Sequence, residues 1–283
     1  MMLKKYYQEE MAGFSIPASE HSVMCSHRIN DNDMGEVNAI QQILTQYPEG
    51  VVAIVSDTYN IYHCCDIIFG QEVKDLVLSR NGKVVIRPDS GDPVKVLCGD
   101  PTFDEPGQLG DWKRKGVIRI LADKFGATPN QQGYMVLNPK IGVIQGDGID
   151  YAMTQQILKR VKEIGFATSN LAFGSGGGLL QKFDRDSMKF ALKATHVIVN
   201  GVHIDLQKTP ITDPGKNSKK GYLKLIYDYI YGAHGRSNEK LYQTVEMTFD
   251  DVNFSDDILR IVFLNGELLI DEQLEKIRSR AAV

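Results

Sequence analysis

Residues 84–91, Val84-Val85-Ile86-Arg87-Pro88-Asp89-Ser90-Gly91, read as a buried strand that stops at a charged, turn-forming end. Three β-branched residues supply the strand, and Pro88 and Gly91 close it. The same form recurs along the chain. Val51–Val55 runs into Ser56-Asp57, Ile141–Ile144 into Gln145-Gly146-Asp147-Gly148, and Leu171-Ala172-Phe173 into Gly174-Ser175-Gly176-Gly177-Gly178. Helical patterns lie between: Met34, Val37, Ile40, Leu44 and Tyr47, then Leu109–Phe125, then Met153, Ile157, Leu158, Val161 and Ile164. Strands alternating with helices predict a parallel α/β architecture, barrel-like rather than an open two-sided sheet. In such folds ligands gather at the C-terminal ends of the strands, and here four polar or glycine-rich ends converge.

After about residue 190 the pattern changes. Lys193–Asn200 and Val202–Gln207 flank Asn200-Gly201, a hairpin signal. A basic, turn-rich loop follows at Asp213–Gly221, then short strands around Leu264-Asn265-Gly266-Glu267, and a terminal helix over Ile270–Arg280. The expected organisation is residues 1–190 as an α/β-barrel portion and 191–283 as a β-rich portion with a terminal helix.

A chain of 283 residues with 42% apolar and 24% charged residues has the make-up of a globular protein. Its formal net charge of -4 argues against a general polyanion binder, so no nucleic-acid partner is expected. No apolar run reaches bilayer-spanning length, and the start, Met1-Met2-Leu3-Lys4-Lys5-Tyr6-Tyr7, lacks the apolar stretch of a signal peptide. Cys25, Cys64, Cys65 and Cys98 have no metal-ligand spacing and read as ordinary thiols of a reducing cytoplasm. No residue is assigned as a metal ligand.

The glycine run 174–178 between a strand and a likely helical start lets backbone N–H groups approach an anion, and a phosphate is the natural ligand; the bland alternative is a flexible turn. It matches neither the P-loop nor the dinucleotide fingerprint, which argues against P-loop ATP hydrolysis. Arg87 and Asp89 at one strand end suit phosphate oxygens and sugar hydroxyls, against the alternative of a surface ion pair. Asp147, held between Gly146 and Gly148, suits a ribose diol or a metal-bound ligand. His21 beside Glu20 stands alone, and His27, His63, His196, His203 and His234 read as structural or solvated. Arg185, Lys193, Lys208, Lys216, Lys219 and Lys220 form a basic series whose usual reading is a solvated face, with phosphate or pyrophosphate binding, across a subunit boundary or within one chain, as the other. The residues alone therefore reach an enzyme or binder of a phosphorylated sugar.

Six blocks carry a resemblance: Ser15-Ile16-Pro17-Ala18-Ser19-Glu20-His21-Ser22, Val55-Ser56-Asp57-Thr58-Tyr59, Ile86-Arg87-Pro88-Asp89-Ser90-Gly91, Val143-Ile144-Gln145-Gly146-Asp147-Gly148, Phe173–Lys182, and Ser218-Lys219-Lys220-Gly221. In this order they resemble the nicotinamide phosphoribosyltransferases, members of the type II phosphoribosyltransferase family. The resemblance implies the C-terminal part of that family's irregular α/β barrel, incomplete here, with a β-rich C-terminal portion. It implies transfer of phosphoribose from phosphoribosyl pyrophosphate to nicotinamide, giving nicotinamide mononucleotide and pyrophosphate, with Mg²⁺ and with ATP phosphorylating His21. By the same resemblance His21, Asp57 and Asp89 are catalytic, and His21 and Arg87 meet the diphosphate. Asp89, Gly146 and Asp147 contact ribose and nucleotide, and Gly176, Gly177 and Arg185 the 5′-phosphate side. Family members are about twice this length, and the residues that hold the nicotinamide ring lie in the part without a counterpart here. The resemblance therefore implies a homodimer, or a complex with a chain supplying the N-terminal half. Two other readings stand beside it: a non-catalytic fragment that binds phosphoribose ligands or a partner chain, and a nicotinate phosphoribosyltransferase.

Overall fold

The computed structural model describes residues 2–10, 13–27, 34–174, 192–232 and 235–281, and it divides into two compact units, residues 1–218 and 219–283. In the first unit the chain runs α1 (Met2–Tyr7), α2 (His21–Ser26), α3 (Met34–Gln46), β1 (Glu49–Val55) and α4 (Ile61–His63). A π-helical stretch (Cys64–Glu72), α5 (Lys74–Ser79), β2 (Asn81–Arg87), α6 (Pro93–Cys98) and α7 (Gly107–Phe125) follow. Then come β3 (Ala127–Pro129), β4 (Met135–Leu137), β5 (Ile141–Gln145), α8 (Tyr151–Glu163), β6 (Leu171–Phe173), β7 (His196–Val199) and β8 (Val202–Asp205). No helix among the described residues is long and apolar enough to cross a membrane.

The four expected strands pair in parallel in the order β1-β2-β5-β6, with Val52 opposite Val84, Ile86 opposite Val143, and Val143 opposite Leu171. A parallel bridge from Ala18 to Ala53 adds one rung outside β1. The order never reverses, so the sheet has no switch point of the doubly wound kind; it winds in one direction, as successive strands of a barrel do. Alternate residues make the same distinction. Val52, Ile54, Val84, Ile86, Ile141 and Val143 join one buried cluster with Ile40 and Leu44 of α3, Ile118 and Leu121 of α7, and Ile157 and Val161 of α8. On the opposite face Ala53, Val55 and Val85 are buried as well, while Val51, Lys83 and Ile144 are half-buried. Burial of each large aliphatic in that cluster contributes about 1.5–3 kcal/mol, which anchors the sheet to its helical layer.

Helix starts follow the sequence chemistry. Asn60 accepts from the N–H groups of Tyr62 and His63, Asp92 from those of Val94 and Lys95, and Asp150 from that of Met153. The helix expected over 109–125 is broken inside: Gly116 has φ +75°, and a Cβ there would lie 2.2 Å from Gly99 N. The β3–β4 hairpin and the π-helical stretch have no counterpart in the sequence reading. At the N-terminal end of the sheet, buried Arg80 donates from Nε to Tyr47 O at 2.9 Å and from Nη2 to Glu49 O at 3.2 Å, and Asn170 bridges Leu137 N and Met135 O at 2.9 Å each.

Residues 192–218 belong to the first unit. β7 and β8 form the expected hairpin, with Asn200 and Gly201 at φ +51° and +81°, and Ile204 and Leu206 bury against Cys25. The second unit holds the antiparallel pair β9 (Tyr222–Gly232) and β10 (Gly235–Met247), the hairpin of β11 (Phe263–Leu264) and β12 (Glu267–Leu268), and α9 (Leu274–Ala281). Asn265 and Gly266 take positive φ at the second hairpin, and Asp257 accepts from Leu225 N at 2.9 Å. The architecture is thus mixed α/β, with a parallel sheet and a strand-rich C-terminal part.

Candidate active site

Three strand ends and one crossing segment build the site. β1 delivers Ser56, Asp57 and Thr58, all buried. One oxygen of Asp57, Oδ2, accepts from the Ser90 hydroxyl; the other, Oδ1, is buried with no hydrogen-bond partner among the described residues. β2 ends in Arg87, and Pro88 turns the chain so that Asp89 and Ser90 follow outside the ladder. The Arg87 Nη2 donates to Ser19 O at 2.7 Å and lies 3.9 Å from Glu20 Oε1, while its Nε is buried with no partner among the described residues. β5 ends at Gln145, and Gly146 then passes close to Gly174 beyond β6: a Cβ on Gly174 would sit 3.0 Å from Gly146 Cα. That approach leaves Asp147 at the rim, 37% exposed.

His21 opens α2 under these ends. The residues before it are held to β1 by Ser19 N to Ala53 O at 3.0 Å, and by Val55 N to the Ser19 hydroxyl at 2.9 Å. The imidazole Nδ1 is 3.0 Å from Thr58 Oγ1, and Nε2 is 3.4 Å from Asp89 Oδ2 and 3.6 Å from Asp57 Oδ1.

The segment 206–218 crosses over this group. Thr209 N bonds Thr58 O at 3.0 Å and Ile211 N bonds Tyr59 O at 2.9 Å, stitching the segment to the stretch after β1. Three side chains come down from it. Lys208 places Nζ 2.7 Å from His21 Nε2, 3.7 Å from Asp89 Oδ2 and 3.9 Å from Asp57 Oδ2. Thr212 shares a hydrogen bond with the Ser90 hydroxyl. Lys216 donates to Asp89 O at 3.0 Å and pairs with Asp147. Gly91, at φ +80°, makes room for the segment, since a Cβ there would meet Thr212 Cβ at 2.8 Å.

The electrostatics follow from this packing. Burial pushes the Asp89 carboxyl up, but the contact with His21 and the charges of Lys208 and Arg87 outweigh it and hold it at about 2. Burial lowers the Lys208 ammonium below its ordinary value, and the attraction of Asp57 and Asp89 restores only part of the shift. Burial also opposes charge on Lys216, yet its hydrogen bond to Asp147, with the charge of Asp147 and Asp89, raises it above the usual lysine range. A cleft of about 190 Å³ opens beside the group, lined among others by Glu20, His21, Lys193, Gln207, Lys208 and Ser218.

Of the residues expected from the sequence, the structure thus brings together His21, Asp57, Arg87 and Asp89, and reaches Asp147 through Lys216; Gly146 serves the backbone approach to Gly174. Gly176, Gly177 and Arg185 lie outside the described residues. The sequence reading missed Thr58, Ser90 and Thr212, and it left Lys208 and Lys216 in a basic series read first as solvated. One signal pointed to Lys208: it follows the strand-like run 202–207, as charged residues follow the other strands. Among the described residues no group of three or more His, Cys, Asp or Glu side chains is placed to hold a metal ion. A hard divalent cation arriving with a diphosphate needs only one or two carboxylates, and Asp89 and Asp147, each partly exposed, fit that role. The arrangement offers cations for a polyphosphate, carboxylates for hydroxyl groups, and an imidazole between two carboxylates.

Residues 4–267 match the nicotinate phosphoribosyltransferase (NAPRTase) family. The nicotinamide phosphoribosyltransferase of Xanthomonas campestris pv. campestris (strain 8004) is 40% identical over 283 residues, covering 99% of this chain and 54% of its own length. That of Acinetobacter baylyi is 37% identical over 288 residues, covering 99% and 53%. The crystal structure of a nicotinate phosphoribosyltransferase from Vibrio cholerae superposes on 77% of this chain and 43% of its own at a TM-score of 0.43 and 16% identity, a likeness too weak to carry an argument. The chain spans about half the length of the curated relatives it matches.

Proposed function

The chain belongs to the nicotinate phosphoribosyltransferase family, and from that premise we propose that it supplies the phosphoribose half of an active site that converts phosphoribosyl pyrophosphate and nicotinamide to nicotinamide mononucleotide and pyrophosphate. The observation that carries the reading is the meeting of His21, Asp57, Asp89 and Lys208, with Arg87 alongside, at the ends of β1 and β2. The two relatives named nicotinamide phosphoribosyltransferase favour the amide over the acid as acceptor.

In this mechanism Arg87 and Lys208 bind the diphosphate, whose negative charge grows as the bond to the anomeric carbon breaks. Asp147 and Asp89 orient the ribose by accepting from its hydroxyls, and Gly146, Gly176, Gly177 and Arg185 serve the nucleotide and its 5′-phosphate. Asp57 stands behind His21 as the buried negative charge nearest the reacting region. Asp89 and Asp147 would hold Mg²⁺, which neutralises the leaving diphosphate when bound. ATP phosphorylates His21, and the phosphoryl group adds a charge beside the diphosphate subsite. The nicotinamide ring is held by the portion that matches the rest of the relatives' length, and the protein acts as a homodimer or in a complex that brings that portion to this site. The thiols Cys25, Cys64, Cys65 and Cys98, all buried, suit a reducing compartment, and we place the protein in the cytoplasm.

The test is formation of nicotinamide mononucleotide from phosphoribosyl pyrophosphate, Mg²⁺, ATP and nicotinamide. The chain is assayed alone and mixed with a polypeptide carrying the remaining part of the Xanthomonas relative. Product from the mixture is expected. A mixture that assembles but makes no product, with phosphoribosyl pyrophosphate still binding to the chain, would establish the non-catalytic reading; product from nicotinate alone would move the assignment to the acid.

A further inference from the structure

We propose that Lys208 is the positioning residue of His21: it holds the imidazole as the Nδ1–H tautomer, keeps the Nε2 lone pair facing the site between Asp57 and Asp89, and passes its own hydrogen bond to the group that Nε2 receives. An ammonium has three N–H donors and no acceptor, so across the 2.7 Å contact Lys208 donates and Nε2 accepts. Nε2 therefore carries no proton. The ring proton sits on Nδ1, where Thr58 Oγ1, at 3.0 Å, accepts it. The competing arrangement has Nε2–H donating to Asp89 Oδ2 across 3.4 Å, a longer contact, and it sets an N–H against an ammonium 2.7 Å away. Oxygens of Asp89 and Asp57 lie 3.7 and 3.9 Å from the same Lys208 nitrogen, at the Nε2 end of the ring and away from the Nδ1 partner Thr58.

The backbone fixes the same choice. Lys208 N accepts no freedom to shift, because it donates to the Ser218 hydroxyl at 2.9 Å while Ser218 N donates to Lys208 O at 3.1 Å. The next residue, Thr209, bonds Thr58 O. Thr58 thus takes the ring proton with its side chain and ties down the neighbour of Lys208 with its carbonyl. Both ends of the imidazole are set by one connected piece of chain.

This inference rests on the phosphoryl transfer proposed above. The lone pair of Nε2 forms the N–P bond as the bond from the terminal phosphorus of ATP to its bridging oxygen breaks, and the electron pair leaves on ADP. The ring keeps its Nδ1 proton, and Lys208 turns from the nitrogen to the new phosphoryl oxygens.

The full chain labelled with ¹⁵N-histidine tests the proposal without turnover, so that its failure is distinct from failure of the phosphoribosyl reading. His21 is assigned with His21→Gln. The parent is expected to show a protonated Nδ1 and a bare Nε2. In Lys208→Met, where the remaining described neighbours of Nε2 are the carboxylates of Asp57 and Asp89, the ratio of bare to protonated Nε2 falls by about tenfold or more, the scale of one hydrogen bond to a charged group. Lys208→Arg keeps a cationic donor and the parental pattern, and Lys216→Met leaves the ring unchanged. A parent with a protonated Nε2, or a folded Lys208→Met with the parental tautomer, would overturn the assignment. If Lys208→Met does not fold, the parent and Lys208→Arg spectra decide, since a lost pattern in folded Lys208→Arg counts against the proposal and a retained one supports it.

Discussion

Arg80 and Arg87 stand at opposite ends of the same strand, one just before β2 and the other its last residue. Arg80 donates from Nε and Nη2 to the main-chain carbonyls of Tyr47, Glu49 and Gly50, while its buried Nη1 finds no partner among the described residues. Around it, Lys140 donates to Arg80 O and Asn138 accepts from Lys140 N, so the polar side chains of this end close on backbone. Arg87 makes one such bond, to Ser19 O, and leaves a buried Nε without a partner among the described residues. Its neighbours pair side chain to side chain: Lys208 with His21, Asp57 and Asp89, and Lys216 with Asp147. Residue type is the same at both ends. What differs is the partner, because a carbonyl in a sheet cannot leave, whereas a side-chain partner can be replaced by a ligand group of like charge.

The contrast can be broken by exchanging the expected effects. Arg80→Met should cost about 3 kcal/mol in a denaturant melt, since it removes a buried guanidinium and strands the carbonyls it satisfied. Equal stability would mean that the N-terminal end is not the anchored one. Arg87→Met should leave the melt within about 1 kcal/mol, yet weaken phosphoribosyl pyrophosphate binding by calorimetry about 10–100-fold, the scale of one charge-assisted contact. A large loss of stability with unchanged binding would reverse the roles of the two arginines. The smallest effect separates the ends by pH. Asp89 has its folded pKa lowered from 3.8 to about 2, so it contributes stability that is present above about pH 4 and is lost as pH falls through 2. The group is partly exposed, and solvent screens the contribution to a small one. Replacing it with Asn should flatten the melting temperature between pH 4 and 2 by a measurable margin, and an unchanged slope would remove Asp89 from the linkage.

The parallel strands were legible because each is an apolar run with a polar stop, and the hairpins β7–β8 and β11–β12 because Asn200-Gly201 and Asn265-Gly266 favour positive φ at two successive positions. His21, Asp57, Arg87 and Asp89 were legible as a set only through the family's motifs; residue types alone left Arg87 and Asp89 near an even choice, favoured a structural His21 and assigned Asp57 nothing. The kink at Gly116 was hidden because it depends on the backbone at Gly99, and the stretch Cys64–Glu72 because its apolar residues keep no helical spacing. Lys208, Thr212 and Lys216 were hidden for a different reason. A lysine in a basic series looks solvated until the carboxylates it faces are known, and those lie on strands far earlier in the chain.

That distance has a kinetic meaning. Each strand of the parallel sheet pairs with one tens of residues away, as Val52 does with Val84 and Val143 with Leu171, so it docks on an earlier strand across a loop of moderate length. The bond between Ser90 and Thr212 spans 122 residues, and that between Lys208 and His21 spans 187. The entropy of closing such loops is recovered only once the sheet has already formed. The crossing segment is therefore the last part of this unit to settle and the first to release under mild denaturant, and amide hydrogens of Thr209 and Ile211 should exchange before those of β1 and β2.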